Sequence, residues 1–122
     1  MFESGFSIQL KPHYAKMIEI SESAILASSN NFELYFEEAD FDSFISKIDS
    51  YTNILYIQHI VEHSWGQRVT RFYDPDKHII EVGESMRSVV KRLLSQGMTF
   101  EAAAEKSQHP LEFVKSCFDE KE

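Results

Sequence analysis

The chain is poor in residues that cross-link or punctuate a fold. It has one cysteine in 122 residues, Cys117, so no intrachain disulfide can form. Four glycines and three prolines leave no low-complexity tract, and there are no internal repeats. No apolar run approaches the roughly 20 residues of a membrane span. The opening Met-Phe-Glu-Ser-Gly lacks the basic start and apolar stretch of a signal peptide, which with the lone cysteine favours the cytoplasm. Basic residues are scarce too, 12 against 20 acidic, for a net charge of −8. Residues 1–84 carry all of that deficit, with 6 Lys/Arg and 14 Asp/Glu, while residues 85–122 hold 6 of each. Such an acidic body argues against nucleic acid as the main partner, because neutralising phosphate dominates that affinity. What the chain does have is aromatic: ten Phe, five Tyr and one Trp, ample for a core or a ligand pocket.

The length suits one small domain with an appendage. Phe6, Ile8 and Leu10 alternate with polar neighbours, which predicts a short strand over Gly5–Leu10 that Pro12 ends. Tyr14–Ser28 reads as an irregular helix, with Met17, Ile20, Ala24 and Ala27 on one face. Asn31–Glu38 alternates again, placing Phe32, Leu34 and Phe36 on one side and Glu33, Tyr35 and Glu37 on the other. Asp40 caps a helix to about Ser50, whose Phe41, Phe44, Ile45 and Ile48 cover the Phe32/Leu34/Phe36 face. Strands follow over 54–63, 68–74 and 78–83. Asp74-Pro75-Asp76-Lys77 supplies the turn between the last two. In the last strand Glu81 shares a face with Ile79, a costly place for a carboxylate unless it is paired, hydrated or metal-bound. Beyond Gly83 the period becomes helical. Ser85 caps a helix that Gly97 stops, Thr99 caps a short second one, and Pro110 opens a third with a Leu111/Val114/Phe118 stripe. The fold class is α+β. Residues 1–84 form the domain, with one complete βαβββ unit over about 30–84 and a partial strand segment before it, and 85–122 form a C-terminal helical extension.

Glu-Leu-Tyr-Phe-Glu at 33–37, Asp40-Phe41-Asp42, Trp65-Gly66-Gln67-Arg68 and Asp74-Pro75-Asp76 with Ile80-Glu81-Val82 together resemble the vicinal oxygen chelate superfamily. Its members include glyoxalase, bleomycin-resistance and extradiol dioxygenase proteins. The resemblance implies a metal site at two positions of each βαβββ unit, matched here by Glu33 in its first strand and Glu81 in its last. A divalent metal (Zn, Ni, Mn or Fe) would then serve a lyase or isomerase of glyoxalase type. It would polarise a carbonyl or stabilise an enediolate, with Glu81 relaying the proton. Members usually pair two such units, whereas this chain completes only one and looks like a family protein whose beginning is missing. A second copy supplying the other wall makes a homodimer the expected state.

Other readings remain beside that one. Glu33 and Glu81 can be plain acids satisfied by Arg68, Arg71 or water. Tyr35 shares the face of Glu33 and is the best aromatic candidate for a ligand pocket. Trp65, Gln67, Arg68 and Phe72 complete the ligand-binding candidates, against core packing or a solvated hairpin. His59 and His63 read as partly buried strand residues, and His13, His78 and His109 as surface or turn residues. The C-terminal helices echo a helix-turn-helix, but Glu112, Lys115, Asp119 and Glu120 make a poor face for phosphates. The functional alternatives are a small-molecule-binding domain with or without a metal, a metal-free sequestering or sensing protein, and a dimeric scaffold.

Overall fold

The computed structural model describes residues 8–119. Four strands form one mixed sheet: β1 (Glu33–Glu38), β2 (Leu55–Glu62), β3 (Arg68–Tyr73) and β4 (Ile79–Glu84), in the order β1-β4-β3-β2. β1 pairs with β4 in parallel, and the other two pairings are antiparallel. The βαβββ order thus brings the unit's first and last strands side by side, leaving β1 and β2 as its edges. The β3–β4 turn is built by Asp74. Its Oδ1 accepts from the backbone N–H of Asp76 at 2.9 Å and of His78 at 2.8 Å, while Lys77 takes a left-handed φ of 68°.

Helix α2 (Phe41–Asp49) starts where Asp40 accepts from the Ser43 backbone N–H at 3.2 Å and the Ser43 hydroxyl at 2.8 Å. Such a cap is worth about 1 kcal/mol. Phe41 and Ile48 are its buried positions, and the helix lies on the sheet face of Thr70, Phe72 and Val82. Cover is incomplete near β1, where Phe32 and Phe36 stay exposed.

The expected N-terminal elements differ. Gly5–Ser7 lie outside the described residues, and Ile8–Leu10 carry no strand. Pro12 does not end a strand but sits in the first turn of helix α1 (Lys11–Met17), where its missing N–H costs nothing. Instead of one irregular helix over Tyr14–Ser28, α1 stops at Met17, and a single 3₁₀ turn (Glu22–Ala24) follows. Glu19 at φ 61° lies between them, a conformation no helix continues through.

The C-terminal part is a three-helix cluster: α3 (Met86–Ser95), α4 (Phe100–Ser107) and α5 (Leu111–Asp119). Ser85 and Thr99 cap the first two, and Gly97 at φ 96° stops α3. Their core joins Val89, Val90, Leu93, Ala103, Val114 and Cys117. The expected α5 stripe is therefore corrected. Val114 and Cys117 face inward, while Phe118 is 65% exposed and touches the Phe100 ring edge-on. Arg92 of α3 ties this cluster to the sheet, donating to the Gly66 carbonyl and to Glu84 Oε1, each at 2.7 Å.

Candidate functional site

One arginine links all four strands on the face turned away from α2. Tyr35 lies opposite Glu81 across β1 and β4, and Arg71 lies opposite Glu81 across β3 and β4. Glu33, Tyr35, Arg71 and Glu81 therefore project from one face. The Arg71 guanidinium, on β3, donates from Nε to Glu33 Oε2 of β1 at 3.3 Å. Its terminal nitrogens donate to Glu81 Oε1 of β4 and, at 2.8 Å, to Gln58 Oε1 of β2.

Glu81 is only 8% exposed. Burial pushes its carboxyl above the ordinary carboxylate range; Arg71 pulls it back and Glu33 adds to the rise. A carboxyl in this condition keeps its proton to higher pH than a free one.

A second polar chain continues along the same face. The Tyr35 hydroxyl donates to Glu37 Oε1 at 3.2 Å and accepts from Gln67 Nε2 at 2.8 Å. Gln67 is buried, donates to the Glu84 carbonyl at 2.9 Å, and accepts from Trp65 Nε1 at 2.9 Å. Gly83 makes this possible by its size. A Cβ there would lie 2.7 Å from Gln67 Nε2 and 3.1 Å from the Tyr35 ring. Burial, only partly offset by the Gln67 hydrogen bond, pushes the Tyr35 phenol up. A cavity of about 230 Å³ opens beside Tyr35, Trp65 and Gln67.

Two expected ligand-binding residues lie on the other face. Phe72 sits opposite Ile80 and meets the Tyr56 ring edge-on, because the Asp74 turn sets Arg71, not Phe72, against Glu81. Arg68 points towards α2, its guanidinium 5.1 Å from the centre of the Phe41 ring, and donates to Asp42 at 2.9 Å and Glu84 at 3.1 Å. Burial alone would raise the Glu84 carboxyl, but the donors of Arg68 and Arg92 outweigh it and hold it below the ordinary range. Glu84 and Glu81, three residues apart on β4, are thus opposites: one saturated with donors, one desolvated.

The histidines are dispersed. His59 is exposed, not partly buried as expected; bulges in β2 turn it towards α2. There its Nε2 lies 2.8 and 2.9 Å from the two carboxylate oxygens of Asp49, which also accepts from the Tyr56 hydroxyl at 2.5 Å. Burial and that hydrogen bond push the Tyr56 phenol up to about 12. His63 stacks on Trp65 with ring centres 4.4 Å apart.

Glu33 and Glu81 do not suit a divalent metal as they stand. Such a site needs at least three converging donors. These two carboxylates lie beside each other and share the Arg71 guanidinium, and among the described residues no imidazole or thiolate joins them. Among the described residues, one cluster of three metal-ligating side chains occurs, Asp74, Asp76 and His78. There Asp74 already accepts the turn's N–H groups and faces His78 Nδ1 at 3.1 Å, so the cluster serves the turn.

Arg71, expected only as a partner for acids, is the hub. A signal existed: with Asp74 facing His78 across the turn, counting back three on each strand sets Arg71 against Glu81. Gln58 carried no comparable signal, since the β2 bulges shift its register.

A family model described as a glyoxalase-like domain matches residues 1–87. A crystal structure of a protein of unknown function from Agrobacterium tumefaciens str. C58 is 39% identical, with a TM-score of 0.56. The likeness covers 70% of this chain and 66% of that one, so this chain spans a little under two thirds of that protein. No curated protein matches the chain.

Proposed function

The chain belongs to the glyoxalase-like domain family, within the vicinal oxygen chelate superfamily, and on that premise we propose that it binds a small molecule without a metal, on the sheet face of Arg71, in a cleft that a second copy completes. The observation that carries this is the meeting of Glu33 and Glu81 at Arg71: a cation supplied by the chain stands at the two positions the family resemblance assigns to a metal. Divalent-metal lyase or isomerase chemistry has no donor set here to rest on, so the reading is binding rather than turnover.

Exposure supports a second copy. Tyr35, Leu55, Ile57 and Ile60 are large, apolar and over 40% exposed, and the β1 and β2 edges have no pairing strand among the described residues. Surfaces of that kind are normally covered. Charge supports a ligand class. Glu33, Glu37 and Glu81 outnumber Arg71 by three to one on this face, which suits a neutral or cationic molecule over an anionic one. Tyr35 and Trp65 offer it flat apolar contacts. No helix among the described residues is long and apolar enough to cross a membrane.

Thermal shift with flat aromatic amines and carboxylates of equal size tests the reading. Amines should stabilise the protein more than carboxylates, and Glu81→Gln should reduce the effect. Preference for carboxylates, or stabilisation by neither class, would contradict it. Light scattering should give twice the 14.2 kDa chain mass; a monomer at tens of micromolar would remove the second copy.

A further inference from the structure

Two cavities share a wall at the junction of sheet and C-terminal helices. One, about 230 Å³, lies beside Tyr35 and Trp65; the other, about 470 Å³, lies beside Glu37 and Phe113. Met86 and His109 line both. The smaller one is a groove that starts on the glyoxalase-like sheet at Tyr35 and ends at His109, beyond the matched residues 1–87.

His109 is held in this groove in a defined state. Gln108 before it is the C-cap of α4 and adopts the left-handed conformation, φ 59° and ψ 36°, that commonly ends a helix. The turn places the His109 backbone N–H on the Ala104 carbonyl at 3.2 Å and its Nδ1 2.7 Å from the Ser107 carbonyl. The ring packs on Phe113 with centres 4.9 Å apart. A carbonyl only accepts, so the neutral imidazole carries its proton on Nδ1 and leaves Nε2 as an acceptor. No protein group donates to Nε2 among the described residues. Trp65, one face stacked on His63, and Met86 provide the apolar wall nearby.

We infer that this groove binds a small hydroxylated aromatic molecule, its ring against Trp65 and Met86 and its hydroxyl donating to His109 Nε2. The occupant is small, because the cavity beside Trp65 is below the usual 300 Å³ or so of pockets for larger ligands. Trp65 can serve the sheet-face cleft as well, but Met86 and His109 belong to this groove alone, so the inference goes beyond the function proposed above and is separable from it through His109.

Phenol and anisole, alike in size and differing in the donor, are the probes. Trp65 is the only tryptophan, so its indole N–H gives one assignable NMR signal in ¹⁵N-labelled protein. Phenol should shift that signal and the His109 ring nitrogens saturably. Anisole should bind about tenfold more weakly, the loss of one hydrogen bond of ordinary strength. His109→Phe, which keeps an aromatic ring for Phe113, should retain anisole affinity and abolish the preference for phenol. Equal affinity for both probes, a preference that survives His109→Phe, or no saturable shift at Trp65 would overturn the inference. If phenol moves the Arg71 Nε–H signal alone, the groove is refuted while binding at the sheet face stands.

Discussion

Replacing Glu84 by glutamine should be one of the most damaging single-atom changes this chain can suffer. Glu84 is 4% exposed and receives donors on both oxygens. Oε1 accepts from the Arg68 backbone N–H at 3.1 Å and from Arg92 at 2.7 Å, and Oε2 accepts from the Arg68 guanidinium at 3.1 Å. An amide nitrogen in place of either oxygen sets donor against donor. The two arginines would be left short of their shared counter-charge, and each already has a buried Nε without a partner. Breaking a buried, hydrogen-bonded charge pair costs about 3–5 kcal/mol, which at this size lowers Tm by roughly 10–20 °C. The sign of the pH dependence follows from the depressed Glu84 carboxyl. Its stabilisation is present above the ordinary glutamate range and disappears as pH falls through the lowered folded value. Urea denaturation of wild type and Glu84→Gln, followed by far-UV circular dichroism at pH 7 and at pH 3, measures this. The gap should be large at pH 7 and shrink at pH 3. A loss under about 1 kcal/mol at pH 7 would refute the assignment of Glu84 as the buried anchor between sheet and α3.

Other outcomes follow from the same geometry. Glu81→Gln should cost little at pH 7, or even stabilise, because burial holds the Glu81 carboxyl up and its charged form is paid for by folding as pH rises through that raised value; the difference should vanish below about pH 4, and a loss as large as that of Glu84→Gln would contradict it. Gly83→Ala should displace Gln67 from Tyr35, costing about 1–3 kcal/mol and changing Trp65 fluorescence, since Trp65 donates to Gln67; an unchanged spectrum and stability would show that the site has slack. Spectrophotometric titration should find one tyrosine ionising near 12, and Asp49→Asn should bring it down towards 10; no late-titrating tyrosine would dismiss the Tyr56–Asp49 contact.

Much of the fold was legible because local signals agreed. The caps Asp40, Ser85 and Thr99, the Asp74 turn and the alternation of β1 and β4 each specify their element through neighbours a few residues away. The N-terminal stretch was not, because its apolar residues fit a strand or a helix equally and its course depends on backbone reversals such as that at Glu19. Within the candidate site, Glu33, Tyr35 and Glu81 could be set on one face by parity alone. Parity alone could not place Phe72 and Arg68; only the hairpin register counted from Asp74 and His78 turns the even-numbered residues of β3 towards α2. His109 was readable as a surface or turn residue, but not as part of a groove, for a different reason. Its state depends on a left-handed Gln108 and on Phe113 one helical turn ahead, and neither carries a sequence signature.

The central claim is that Arg71, not a metal, holds Glu33 and Glu81 together. Elemental analysis of the purified protein, before and after incubation with excess Zn, Ni, Mn or Fe and removal of free ion, addresses it directly. Substoichiometric metal throughout, unchanged by Glu81→Ala, is the predicted result. One tightly held ion per chain that disappears in Glu81→Ala would contradict it.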